Sequence, residues 1–173
     1  MAPQLSHLKA LIVEDNAHMR ALLRALLGGL GVSEVFEAQD GARALEVLGT
    51  ASPDFVLTDL TMAPVDGIAF TREVRNSVAS PNPFVPIIMV TGHTERARVL
   101  AARDAGVTEL LAKPVTARSL FLRIAEIVDR PRPFVRAEGF FGPDRRRHND
   151  AFYNGPWRRD EDRTREEGEV ALL

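Results

Sequence analysis

Phe55-Val56-Leu57-Thr58-Asp59 is a short apolar run closed by an acid, and its reading decides the fold. Two other runs end in the same manner: Leu11-Ile12-Val13 leads into Glu14-Asp15, and Leu110-Leu111-Ala112 leads into Lys113. Runs this short and apolar read as strands buried on both faces of a parallel sheet. In an open α/β sheet the carboxyl ends of such strands share one rim, where ligands bind. Three acids and a lysine at that rim suit a divalent cation together with an anion.

Working outward, short β-rich runs alternate with helical periodicity five times, which predicts an α/β fold with helices on both faces of the sheet. The expected strands are Ala10 to Val13, Glu34 to Ala38, Phe55 to Asp59, Ile87 to Val90 and Glu109 to Ala112. Met19, Leu22, Leu23, Leu26, Leu27 and Leu30 recur at helical spacing, as do Ala44, Leu45, Val47 and Leu48 behind the N-cap Asp40. The third helix is expected from Gly67, the fourth from Glu95 and the fifth from Thr116. Leu120, Ile124, Ile127 and Val128 line one side of the fifth, which ends at Asp129 or Arg130. Gly28, Gly29 and Gly31 mark the exit of the first helix; no strand precedes them, so they are not a phosphate cradle.

The 173 residues suit one domain with some extra chain. A composition 45% hydrophobic and 27% charged, with net charge -2, is that of a soluble globular protein and names no nucleic-acid partner. There is no cysteine, which excludes disulfides, thiolate metal sites and thiol nucleophiles. His7, His18, His93 and His148 share no metal-ligand spacing. Met89 and Phe84, at the fourth strand, read as packing residues. The amino end has no leader pattern and no apolar stretch reaches the length of a membrane span, so cytoplasmic residence in a bacterial-type cell is expected.

After Arg130 the composition turns to proline, glycine, arginine and acids, and residues 131–173 are expected as an irregular extension, flexible or docking. It contains a quasi-repeat. Phe140-Phe141-Gly142-Pro143-Asp144-Arg145-Arg146 aligns with Tyr153-Asn154-Gly155-Pro156-Trp157-Arg158-Arg159 as aromatic, any, Gly, Pro, any, Arg, Arg. Aromatics with arginine dominate binding hot spots, so Phe140, Arg145, Arg146, Tyr153, Trp157, Arg158 and Arg159 are candidate docking residues. Solvated arginines on a loose tail are the bland alternative.

At the rim, Glu14, Asp15 and Asp59 supply the carboxylates that Mg²⁺ favours. A carboxylate also attacks phosphorus to give an aspartyl phosphate where cations neutralise the equatorial oxygens. Asp59 is the best-placed nucleophile. Lys113 and the Thr91 hydroxyl form an anion clamp. One acid after a strand is commonly a helix cap or turn residue; five such groups at strand ends in one register are not.

These residues carry a resemblance. Leu11-Ile12-Val13-Glu14-Asp15-Asn16, Asp59 with Met62 and Asp66-Gly67, Val90-Thr91-Gly92, and Lys113-Pro114 resemble the response regulator receiver domain of two-component signalling, over residues 8–130. The resemblance implies a flavodoxin-like five-stranded sheet of order 2-1-3-4-5, the order the chemotaxis member of the family shows. It implies that Asp59 takes a phosphoryl group from a histidine kinase or histidine phosphotransfer protein, with no turnover beyond self-phosphorylation and self-dephosphorylation. Glu14, Asp15, Asp59 and the Thr61 carbonyl would hold Mg²⁺, Thr91 and Lys113 would bind phosphoryl oxygens, and the Lys113–Pro114 peptide would be cis.

Two positions depart from the family. Leu110 stands where an aromatic ring usually couples to the threonine, and Met62-Ala63-Pro64 places its proline one residue late. With no run after the sheet suited to a folded output domain, a stand-alone receiver is expected, switching the surface of its fourth helix, fifth strand and fifth helix. A phosphorylation-dependent homodimer and the downstream partner are left open. Two other classes compete. A phosphohydrolase of the haloacid dehalogenase type needs an acid two residues after the nucleophile, where Thr61 stands. A nucleic-acid-binding regulator would use the tail arginines, whose charge nearby acids offset.

Overall fold

The computed structural model describes residues 5–92 and 96–145. Five strands, β1 (Lys9–Val13), β2 (Glu34–Ala38), β3 (Phe55–Asp59), β4 (Ile87–Thr91) and β5 (Glu109–Ala112), alternate with helices α1 (Ala17–Gly29), α2 (Gly41–Ala51), α3 (Gly67–Asn76), α4 (Arg96–Ala105) and α5 (Ala117–Asp129). The strands form one parallel sheet in the order β2-β1-β3-β4-β5. This is the flavodoxin-like arrangement expected. β3 and β4 are buried at every residue, as strands covered on both faces must be.

Alternate residues of each strand feed opposite layers. Ala10, Ile12, Leu57, Ile88, Val90 and Leu111 meet Leu23 and Leu27 of α1 and Leu120, Ile124 and Ile127 of α5. Leu11, Val13, Val56 and Ile87 meet Ala44, Val47 and Leu48 of α2 and Phe70 and Val74 of α3. α4 lies beside α3 and is more thinly attached, giving Ala102 to a small cluster with Leu60, Met89 and Val107. The helices start where short polar side chains take up the first free amides. Asn16 accepts from His18 and Met19, Asp40 from Arg43, Asp66 from Ala69, and Thr116 with Ser119 forms a reciprocal capping box. α1 leaves through Gly31 at φ +91, with the Gly31 and Val32 amides donating back to the carbonyls of Gly28 and Leu27.

Of the extension expected over 131–173, residues 134–143 pair as an antiparallel hairpin, β6 (Phe134–Ala137) with β7 (Phe140–Pro143). The turn uses Glu138 and Gly139, the latter at φ +70. The hairpin lies against α3 and α4 and buries Phe141. Phe84, Phe134 and Phe141 form a ring cluster with centroids 5.3, 5.3 and 5.6 Å apart. Beneath it lies Arg75 of α3, only 2% exposed. Its Nε donates to the Gly106 carbonyl at 3.0 Å and its Nη1 to the Pro83 carbonyl at 2.7 Å, while the guanidinium carbon sits 5.0 Å from the Phe134 ring centroid. Burial lowers its pKa to about 9, which leaves it charged at pH 7.

The remaining ties are polar. Arg132 and Arg123 both pair with the buried carboxylate of Glu109, at 2.8 and 3.2 Å, and Arg145 reaches Asp104 of α4 at 3.3 Å. Gly142 rests so closely on Gly106 that an added Cβ would stand 2.8 Å from the Gly106 Cα. Replacing Phe141 with Ala removes the buried ring of this cluster and is expected to lower stability by about 3 kcal/mol, the low end for truncating a buried Phe. Urea unfolding with an unchanged slope would read that loss; a loss under about 1 kcal/mol would show that the hairpin contributes little to the fold.

Candidate functional site

Strand register assembles the rim. Val13 pairs with Thr58, Asp59 with Val90, and Thr91 with Ala112, so β1, β3, β4 and β5 end nearly level. The ladder continues one step past the strands, the Glu14 amide donating to Ala38 O, Leu60 to Val90 O, and Lys113 to Thr91 O. Glu14, Asp59, Thr91 and Lys113 therefore meet at one edge. Gly67 closes the floor: its amide donates to the Leu60 carbonyl, and a Cβ there would lie 2.2 Å from the Asp59 carbonyl oxygen. No side chain larger than hydrogen fits between α3 and the strand that presents Asp59.

Asp59 is 6% exposed. Its Oδ1 lies 2.8 Å from Lys113 Nζ, and its Oδ2 accepts from the Thr61 amide at 3.2 Å. Glu14 is 2% exposed. Its Oε1 accepts from the Asn16 amide at 3.1 Å, whereas Oε2 accepts no hydrogen bond and stands 3.9 Å from Lys113 Nζ. Burial raises the Glu14 carboxyl above its ordinary range and the Asp59 charge adds to the rise, against the Asn16 amide and Lys113. Asp15 is exposed, its Oδ2 accepting from the Ala63 amide at 3.3 Å. The Thr91 residue is buried at the end of β4, and the Lys113–Pro114 peptide is cis.

Among the described residues, no three acids or histidines already surround a single point as metal ligands. Asp59 is instead paired with Lys113, and Asp15 accepts from the Ala63 amide. The donor set nevertheless fits a hard divalent cation, because it is all oxygen and includes a buried carboxylate oxygen with no donor of its own.

The other candidates divide. Leu110 is half-buried against the cluster of Leu60, Met89, Ala102 and Val107. Phe140 and Arg145 are engaged with this chain itself, the Arg145 guanidinium stacking 3.9 Å from the Phe140 ring centroid while pairing with Asp104. Arg146, Tyr153, Trp157, Arg158 and Arg159 lie outside the described residues. Arg20 escapes a search for strand-end residues because it sits one turn into α1, yet its Nη1 donates to the Glu14 carbonyl at 2.7 Å.

A family model described as the response regulator receiver domain matches residues 10–125, and the chain belongs to that family. It is 37% identical over 123 residues to the chemotaxis protein CheY of Pseudomonas aeruginosa, covering 71% of this chain and 98% of that relative. The structure of chemotaxis protein CheY4 of Vibrio cholerae is similar with TM-score 0.64 at 29% identity, over 70% of this chain and 98% of that one. The receiver domain of a sensor histidine kinase from Pseudomonas aeruginosa is similar with TM-score 0.60 at 32% identity, over 69% of this chain and 94% of that one. That receiver was solved with a magnesium ion coordinated in its active site cleft. In the present chain no helix among the described residues is long and apolar enough to cross a membrane.

The buried Glu14 carboxyl gives a pH-dependent prediction. Its proton is held more tightly in the folded state, so it leaves stability untouched well below the ordinary value of 4.5 and lowers it as pH rises through and above that value. Glu14→Gln removes this penalty. In a chelator, the variant should be more stable than the parent at pH 7, with the gap closing towards pH 4. Urea midpoints at the two pH values measure it, and an equal gap at both would contradict it.

Proposed function

We propose that Asp59 is a phosphoacceptor and that the chain works as a single-domain response regulator, taking its phosphoryl group from a histidine kinase or histidine phosphotransfer protein. The observation that carries this reading is the Asp59 carboxylate at the end of β3, almost buried, 2.8 Å from Lys113 Nζ and beside the buried Glu14. An Asp59 oxygen attacks phosphorus as the bond from phosphorus to the donor's imidazole nitrogen breaks, and that nitrogen leaves with the electron pair. Lys113 balances charge on an equatorial oxygen and the Thr91 hydroxyl donates to another. Mg²⁺, when bound by Glu14, Asp15, Asp59 and the Thr61 carbonyl, would supply further neutralisation of phosphoryl charge.

The switch follows from position. Thr91 ends β4 and is joined through Gly92 to the segment leading into α4, while Lys113 follows β5, so drawing both side chains to a phosphoryl group pulls on α4 and β5. Leu110 offers no ring or hydroxyl to reorient, and repacking of its cluster with Leu60, Met89, Ala102 and Val107 carries the change to the α4-β5-α5 surface. A protein partner that reads that surface in the cytoplasm completes the scheme. Thr61 in place of a second acid disfavours hydrolysis of external phosphate esters.

Incubation of the full chain with Mg²⁺ and acetyl phosphate, followed by intact mass, tests the reading. One Mg²⁺-dependent phosphoryl adduct is expected, absent in Asp59→Asn and formed at least about tenfold more slowly in Lys113→Ala. An unmodified wild-type chain, folded and in excess donor, would overturn it.

A further inference from the structure

The turn that presents Glu14 and Asp15 is fixed on one side by Asn16, whose Oδ1 accepts from the His18 and Met19 amides at 3.0 Å each. Arg20 fixes the other side. Its Nη1 donates to the Glu14 carbonyl at 2.7 Å and reaches the Asp15 carbonyl at 3.4 Å. Its Nε meets Glu37 Oε2, on β2, at 3.2 Å. Glu37 is itself held, its Oε1 accepting from Arg24 Nη1 at 2.8 Å, and that nitrogen also donates to the Val35 carbonyl at 3.0 Å. The Arg20 side chain is 19% exposed and that of Glu37 33%, so the fork is partly shielded from competing water.

These carbonyls belong to consecutive residues just past the end of β1, and a planar guanidinium constrains them in a way a flexible ammonium does not. The side chains they carry are the two acids of the rim. Fixing the carbonyls fixes the direction in which Glu14 and Asp15 leave the backbone, and groups that orient metal ligands from behind commonly change metal affinity by 10- to 100-fold when removed. Mere proximity would act with the opposite sign, since a positive charge near a cation site repels the cation.

We propose that Arg20, braced by Glu37, is a positioning residue that clamps the Glu14 and Asp15 carbonyls and so aims their carboxylates at the divalent-cation site. The proposal rests on the reading of the rim as a Mg²⁺-dependent phosphoacceptor site. Arg20 touches neither the cation nor the phosphoryl group; it acts through the backbone of the residues that do.

Calorimetric titration of Mg²⁺ into the full-length chain, with thermal unfolding of each variant alongside, tests it. Arg20→Lys keeps the charge and loses the fork, and Arg20→Gln loses both; each should weaken Mg²⁺ binding on the order of tenfold. Glu37→Gln, which leaves Arg20 in place without its brace, should weaken binding by less and guards against a misfolded Arg20 variant. Arg20→Lys binding Mg²⁺ like the parent, or Arg20→Gln binding it more tightly, would overturn the clamp while leaving the rim's reading intact. A parent chain that takes up no Mg²⁺ would remove the metal reading first, and the clamp with it.

Discussion

Like charges crowded at the end of a buried sheet are the constraint on which the rest of this protein turns. Glu14 and Asp59 are both almost buried, and one Glu14 oxygen accepts no hydrogen bond. An arrangement of that kind costs stability unless a cation compensates it. Lys113, at 2.8 Å from Asp59 and 3.9 Å from Glu14, supplies the positive charge present in the chain itself. The parallel register makes the crowding unavoidable, because strands that end level deliver their closing residues to one edge. The site thus concentrates like charge at one edge of the sheet, and in the proposed scheme Thr91 and Lys113 carry a change there to α4 and β5.

The carboxyl-end rim lies within residues 10–125 that the receiver family model matches, whereas the hairpin at the opposite end of the sheet lies beyond them. There a buried arginine, three phenylalanine rings and a close pair of glycines join α3, α4 and the start of β5 to the hairpin. α4 buries only alanines against the body, so its carboxyl end draws much of its fixation from Arg145 and from the Gly106–Gly142 approach. The carboxyl end of α4 therefore contacts residues beyond the family match, which ends at residue 125.

Most of the sheet was legible because its strands are apolar runs cut off by charge: Phe55 to Asp59 and Glu109 to Ala112 fall where the pattern places them, and α5 begins behind its Thr116 cap. That Glu14, Thr91 and Lys113 share a rim was legible for the same reason, each being the first polar residue after an apolar run, with Asp15 and Asp59 one residue behind such a position. Arg20 was not, since an arginine on a helix has many uses and its carbonyl partners are backbone atoms. The hairpin was hidden by composition. Proline, arginine and glycine around residues 131–145 read as open chain, and the groups that give the hairpin a seat, Arg75, Phe84 and Gly106, lie far back in the sequence. The local signal was Glu138-Gly139 between Phe134-Val135 and Phe140-Phe141, a two-residue turn between apolar pairs.

The seat under the hairpin also sets an order of events when the chain is made. Phe134 follows Arg75 by 59 residues. At about 5–20 residues per second, roughly 3 to 12 seconds of synthesis separate the two. Until Phe134 is made, the guanidinium lacks the ring that lies 5.0 Å from it in the folded chain, although both of its carbonyl partners, on Pro83 and Gly106, come earlier. The strands of the sheet, down to Ala112 of β5, all precede Phe134 in the chain, so the ring over this arginine arrives after every residue of the sheet and rim has been made.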